Sequence, residues 1–154
     1  MAIDMETRIE KAREYFLAGY NCAQAVSAPF YDLIGMDEKT VLRMASSFGG
    51  GFGRLRELCG VLSGIGLIAG ILYGDLDPAD DSTKAAHYAL IQEYTEKFRS
   101  INGSIVCRHL LDTPDTRPWP DARTAEYYST RPCARFVDDG VRILCQLIDS
   151  KQAG

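Results

Sequence analysis

Ser47-Phe-Gly-Gly-Gly-Phe-Gly-Arg-Leu-Arg-Glu-Leu-Cys59-Gly-Val-Leu-Ser-Gly-Ile-Gly-Leu-Ile-Ala-Gly-Ile-Leu-Tyr-Gly74 is the stretch that decides the fold. A glycine-rich loop runs into an apolar segment with no charge between Glu57 and Asp75. Burial of most of Leu58 to Tyr73 is therefore expected. Glycine weakens a helix by about 1 kcal/mol against alanine, so its repeated use here needs a reason. Gly60 and Gly64 are four apart, as are Gly66, Gly70 and Gly74. On a helix this spacing makes flat strips where a neighbouring backbone can come close. The segment reads as a central helix wrapped by others. Whether its strips serve contacts within the chain or a homodimer is open at this stage.

The rest of the chain fits one domain, residues 1–154, long enough for a real core. The formal charge of −4 offers no basic footprint for nucleic acid. Met1 to Arg8 carries charges of both signs and no apolar core, so no export signal is expected. The apolar part of the glycine-rich segment is about 16 residues, short of the ~20 that a membrane helix needs. A cytoplasmic protein without membrane insertion follows as the expectation.

Helical spacing of apolar residues predicts a helix over Glu6 to Leu17. Asn21 with Gln24 predicts a capping box opening a second helix, Cys22 to about Ile34, broken near Ala28 by Pro29. Asp37 caps a third, Glu38 to Phe48. Beyond the central segment, Thr83 to Ile101 presents Ala86, Leu90, Tyr94 and Phe98 on one face. Ser104 caps a short helix, Ile105 to Leu111. Asp112 to Thr130, with Pro114, Pro118 and Pro120 around Trp119, reads as a surface loop. Pro132 suits the first turn of a last helix to about Ser150, with Phe136, Val137, Val141, Leu144 and Ile148 as its apolar face. No period-2 strand is visible, so the expected fold is all-α, a compact helical bundle.

Five cysteines in a reducing compartment are not expected to form structural disulfides. Cys22, Cys59, Cys107 and Cys133 each fall near a predicted helix start. A helix N-terminus offers unsatisfied N–H groups and the positive end of a dipole. Both favour thiolate over thiol. Cys145 falls mid-helix, about 18 Å beyond Cys133 at about 1.5 Å per residue, and reads as a core thiol. No Cys-x-x-Cys occurs, which excludes a thioredoxin-like motif or a zinc ribbon. Any shared site must be assembled by the fold.

Cys59-Gly60-Val61-Leu62-Ser63-Gly64 resembles the Cys-Gly-Ala-x-x-Gly motif of the C_GCAxxG_C_C family. That family comprises small redox-active proteins defined by four cysteines around the motif. Asn21 to Val26 resembles its first cysteine segment, Phe48 to Arg54 its glycine loop, and Cys107 and Cys133 its two later cysteines. Val61 departs from the usual alanine, and its two extra methyl groups are expected to loosen helix packing there. The resemblance implies redox activity and names no substrate.

Three readings stand side by side. In the first, the four thiols carry out thiol–disulfide chemistry with an unidentified redox partner or small molecule and need no cofactor. Cys59 is then the preferred nucleophile, because the glycine loop leaves room for a partner, and Cys22–Cys59 the preferred first pair. In the second, Cys22, Cys59, Cys107 and Cys133 hold zinc or an iron–sulfur cluster, since four cysteinates complete either ligand set. In the third the chain is a non-catalytic helical scaffold with inert thiols. Arg54 and Arg108 are candidates to stabilise a nearby thiolate. The glycine loop as an anion cradle is the weaker alternative to a loop that lets backbone approach Cys59. His87 and His109 read as surface or core residues. Trp119, Tyr127 and Tyr128 read as packing residues, in a loop aromatic enough to close over a site.

Overall fold

A computed structural model describes residues 4–74 and 76–154. Met1 to Ile3 of the expected unexported N-terminus, and Asp75 at the start of the turn after the glycine-rich helix, lie outside the described residues. The described residues form helices α1 (Met5–Leu17), α2 (Cys22–Ser27), α3 (Glu38–Ala45), α4 (Gly60–Tyr73), α5 (Asp81–Asn102), α6 (Cys107–Leu111), α7 (Ala125–Thr130) and α8 (Cys133–Ala153). The fold is all-α, and no helix among the described residues is long and apolar enough to cross a membrane.

Local chemistry sets most boundaries. The Asn21 side chain accepts from the Gln24 N–H at 2.9 Å, and the Gln24 side chain accepts from the Asn21 N–H at 3.0 Å, closing the expected box. Pro29 ends α2 as expected, and the chain continues as a 3-10 turn, Ala28–Phe30. Asp37 and Asp80 cap α3 and α5 by accepting from Thr40 and Thr83 N–H groups. The stretch expected to be a surface loop contains α7. Thr124 opens it by accepting from the Tyr127 N–H at 3.1 Å. Tyr127 and Tyr128 hold it against Phe16 of α1.

Helix α4 packs on α2, α8, α3 and α5, and α2 packs on α1, α3, α4 and α8. Val61, Leu62, Ile65 and Ile68 are buried, each contributing about 1.5–3 kcal/mol. The two glycine strips have different surroundings. A Cβ on Gly60 would lie 2.6 Å from Cys22 Sγ, and one on Gly64 would lie 2.8 Å from the Ala23 carbonyl oxygen. These two let α2 sit directly on α4. Gly70 has open space beside it, and Ile71 is 45% exposed. The last turn of α4, from Gly70 on, thus emerges from the core that the sequence predicted would cover it. The expected face of α5 is likewise buried only in its second half: Tyr94 and Phe98 are buried, Leu90 half-buried and Ala86 exposed.

Val61 does not loosen the packing. It is fully buried, and its Cγ1 lies 2.4 Å from where a Cβ on Gly140 would stand. The additional bulk of valine is accommodated where α8 has only a hydrogen. Helix α8 passes through Gly140 without a break.

Candidate functional site

The loop between α3 and α4 winds in the hand that L-amino acids disfavour. Gly50, Gly51, Phe52, Gly53, Arg54 and Arg56 all have positive φ. Long-reach backbone bonds hold the coil, among them Gly53 N–H to Ser47 O at 2.8 Å, Arg56 N–H to Gly50 O at 3.0 Å and Glu57 N–H to Gly51 O at 2.9 Å. At Gly51 a side chain is excluded twice over, by φ of 75° and by Cys107, whose Cβ would be 2.6 Å from the added atom.

The coil delivers residues 56–59 alongside residues 105–108. Leu58 and Val106 form an antiparallel bridge. The Cys107 N–H donates to Glu57 O at 2.6 Å, the Arg108 N–H to Arg56 O at 3.1 Å and the Cys59 N–H to Ile105 O at 2.8 Å. This clip pairs Cys59 with Ile105 and Cys107 with Glu57, so it brings the two cysteines onto adjacent segments of the chain, although nothing in their spacing announces it. Cys22 comes in from α2, its sulfur against Gly60. Cys133 comes in at the start of α8.

All four cysteines expected to share a site line one cavity of about 300 Å³. Each stands at a helix start, as expected: Cys59 is the residue before α4, and Cys22, Cys107 and Cys133 are the first residues of α2, α6 and α8. All are free thiols. Cys145 is fully buried in the core, away from the cavity lining, as expected.

The expected electrostatic consequence does not follow for three of them. Burial pushes the Cys22 thiol up, and the nearby Cys107 adds to it; the Gly50 and Ala23 backbone N–H groups oppose this without prevailing. Burial raises Cys59 well above the ordinary thiol range, with Cys22 contributing, against the Val61 N–H. Burial and Cys22 push Cys133 up to about 12, against Arg131 and Arg123. Loss of hydration exceeds what the helix ends return.

Cys107 is distinguished by its neighbour. Arg56 is 2% exposed, and its Nη1 donates to Cys107 Sγ at 3.8 Å. Its Nε donates to Asp115 O at 2.8 Å. The sequence reading named Arg54 and Arg108 as thiol partners and passed over Arg56. Arg108 instead bonds the Glu57 carboxylate and Arg56 O, outside the cavity lining. Arg54 does line the cavity, where it donates to Arg117 O at 2.6 Å and to Asp121 at 3.1 Å. Asp121, Arg123 and Arg131 line it too and were not anticipated. The available signal was the density of arginines in the proline-rich stretch and the Arg54-x-Arg56 pair before Cys59. Burial works against the Asp121 charge, but Arg54 and Arg131 hold its carboxyl below the usual range. These contacts lay residues 113–124 over the cavity as a strap. Tyr127 lines the cavity, Tyr128 bonds backbone of α1, and Trp119 is 83% exposed. His109 is exposed and His87 half-buried.

Among the described residues no three His, Cys, Asp or Glu side chains are grouped so as to hold a metal ion.

The buried thiols predict a pH dependence of stability. Burial pushes Cys145 up to about 12, whereas an unfolded thiol titrates near 8.5. Above about pH 9 the unfolded chain gives up this proton and the folded chain keeps it, so stability falls with rising pH until about pH 12. The slope reaches about 1.4 kcal/mol per pH unit for each such thiol. Urea midpoints should fall across this range, and Cys145→Ala should make the fall shallower. An unchanged slope would remove Cys145 from the account.

No curated protein and no solved structure matches the chain. A sequence model of one family, described as "Putative redox-active protein (C_GCAxxG_C_C)", matches residues 20–147, which include the glycine coil and all four cavity cysteines, and the chain belongs to that family.

Proposed function

We propose that the cavity exchanges thiols and disulfides, with Cys107 attacking and Cys22 resolving. The observation that carries this reading is the guanidinium of Arg56 at 3.8 Å from Cys107 Sγ, inside a cavity that three further thiols share. A cation fixed beside a sulfur stabilises the negative charge of the attacking thiolate. This assignment moves the nucleophile from Cys59 to Cys107. Cys59 lacks such a neighbour, and burial holds it as the neutral thiol.

Cys107 thiolate attacks a substrate disulfide, one sulfur of which leaves as a thiolate. Cys22 then gives up its proton, attacks Cys107 Sγ in the mixed disulfide and expels the second substrate sulfur. Two protein thiols become a Cys22–Cys107 disulfide, and the substrate disulfide becomes two thiols. A low-molecular-weight thiol or a dithiol protein of the cytoplasm returns the two electrons. Cys59 and Cys133, which line the same cavity, would accept the disulfide in turn.

The test is oxidation of anaerobically purified protein by a small disulfide, followed by peptide mapping and metal analysis. A reversible bond between Cys22 and Cys107 in metal-free protein is the expected result. Zinc or iron near one equivalent, with all four thiols unreactive until a chelator is added, would replace this reading with a ligand site. Neither metal nor a reversible disulfide would leave the scaffold.

A further inference from the structure

The chain as a whole is acidic, with a formal charge of −4, yet its cysteine-lined cavity is the reverse. Arg54, Arg56, Arg123 and Arg131 line it against one carboxylate, Asp121. One oxygen of Asp121 serves three of the four: Arg131 Nη2 at 2.8 Å, Arg54 Nη1 at 3.1 Å and Arg56 Nη2 at 3.9 Å. Asp115 adds a second carboxylate beside Arg54, at 3.6 Å, but it is also occupied by Arg117. The positive charge is therefore in excess.

The way these guanidinium groups are held preserves that excess. Arg54 and Arg56 direct their Nε atoms to the carbonyls of Arg117 and Asp115. Arg123 donates to the carbonyls of Phe16 at 3.0 Å and Tyr20 at 3.1 Å, and lies over the rings of Phe16 and Tyr127 at 4.7 and 4.8 Å. Among the described residues it has no carboxylate at ion-pair distance. Carbonyls and rings orient a cation without cancelling its charge. The long helices α4 and α8 also begin at this cavity, at Cys59 and Cys133, and neither has a side-chain cap on its first N–H groups. Their dipoles add to the same sign. Phe16, Val61, Leu110 and Phe136 supply an apolar wall. A volume of about 300 Å³ is at the small end for ligand pockets, too small for a folded partner and suited to a compact molecule.

Taking the thiol–disulfide reading as its basis, we infer that the substrate is a low-molecular-weight disulfide bearing carboxylates. Its sulfurs meet Cys107 and Cys22, its methylenes the apolar wall, and its anionic ends the guanidinium groups. For a disulfide RSSR with R a carboxyethyl group, Cys107 thiolate forms Cys107–S–S–R and releases RS⁻. Cys22 thiolate then forms the Cys22–Cys107 bond and releases the second RS⁻. The two leaving thiolates take up the two protons that the protein thiols have lost.

Three disulfides of similar size test this on the full chain: dithiodipropionate as dianion, hydroxyethyl disulfide as neutral, and cystamine as dication. Each oxidation rate is divided by the rate of the same disulfide with a neutral free thiol, which removes differences in leaving-group reactivity. The expected order is dianion, neutral, dication, with a spread of about tenfold or more at low salt. That spread should shrink at roughly 0.5 M salt, where screening reaches a few ångströms. Arg123→Gln should narrow the ratio of dianion to dication, and the salt series on the native chain stands if that variant folds poorly. Equal rates, or a faster dication, would overturn the anionic substrate while leaving thiol exchange in place. Oxidation by none of the three would overturn both.

Discussion

Cys107→Ser is expected to abolish oxidation of the protein by small disulfides, and Cys22→Ser to stop it halfway. Cys107 is the cavity thiol whose sulfur accepts a hydrogen bond from a guanidinium among the described residues. With Cys107 but no Cys22, attack still occurs, and the substrate half remains attached as a mixed disulfide that intact mass detects. Arg56→Gln keeps every thiol and should slow the first step by about ten- to a hundredfold, the range that loss of a charged hydrogen bond implies. A Cys107→Ser chain that oxidises at the native rate would return the nucleophile to Cys59. Accumulation of the mixed disulfide in Cys59→Ser, and not in Cys22→Ser, would make Cys59 the resolving thiol.

Gly60→Ala and Gly70→Ala are expected to move stability in opposite directions, although both put alanine into the same helix. At Gly70 the new methyl meets open space. The helix therefore gains the usual propensity difference of about 1 kcal/mol, worth a rise of about 2–4 °C in a chain of this size. At Gly60 the methyl would stand 2.6 Å from Cys22 Sγ and 2.7 Å from the Phe48 carbonyl oxygen. Overpacking of this kind costs about 1–3 kcal/mol, enough to offset the propensity gain and lower the midpoint by several degrees. Gly60→Ala should also slow disulfide formation, because relieving the clash moves the Cys22 sulfur. Thermal melts of the two variants against the native chain decide the matter. A Gly60→Ala chain more stable than native would mean that α2 does not rest on α4 there.

What the sequence made legible was governed by local chemistry. The Asn21–Gln24 box, the Pro29 break and the helix starts at Cys22, Cys107 and Cys133 depend on residues a few positions apart. They emerged close to where they were expected. The closeness of α2 and α4 was legible in Gly60 and Gly64 for a related reason, since a missing side chain is a direct statement about space. Depth was not legible. The helix starts at the cysteines lay within two residues of where they were expected, α6 opening at Cys107 and not at Ile105, but the assumption that a helix end makes a thiolate ignored how far Cys22, Cys59 and Cys133 are removed from water. The arginine network was also hidden. Arg56 reaches the backbone of Asp115, and Asp121 gathers Arg54 and Arg131, across separations that no local pattern records. Helix α7 was missed because proline-rich flanks dominate its neighbourhood, while its position is fixed by aromatic contacts with α1.

The reversed winding of residues 50–56 has a consequence at one position. A non-glycine residue in this hand costs about 1–2 kcal/mol, and Phe52, Arg54 and Arg56 are all so placed. Against a net folding free energy of about 5–15 kcal/mol, that is a substantial standing cost. Glycine at residue 56 would relieve its share and would also remove the guanidinium from Cys107. The strain at residue 56 is therefore set against what its side chain holds, since the buried guanidinium ties the coil to the Asp115 carbonyl at 2.8 Å. A glycine at residue 56 would exchange one cost for another: the coil relaxes, and the strap of residues 113–124 loses one of its anchors.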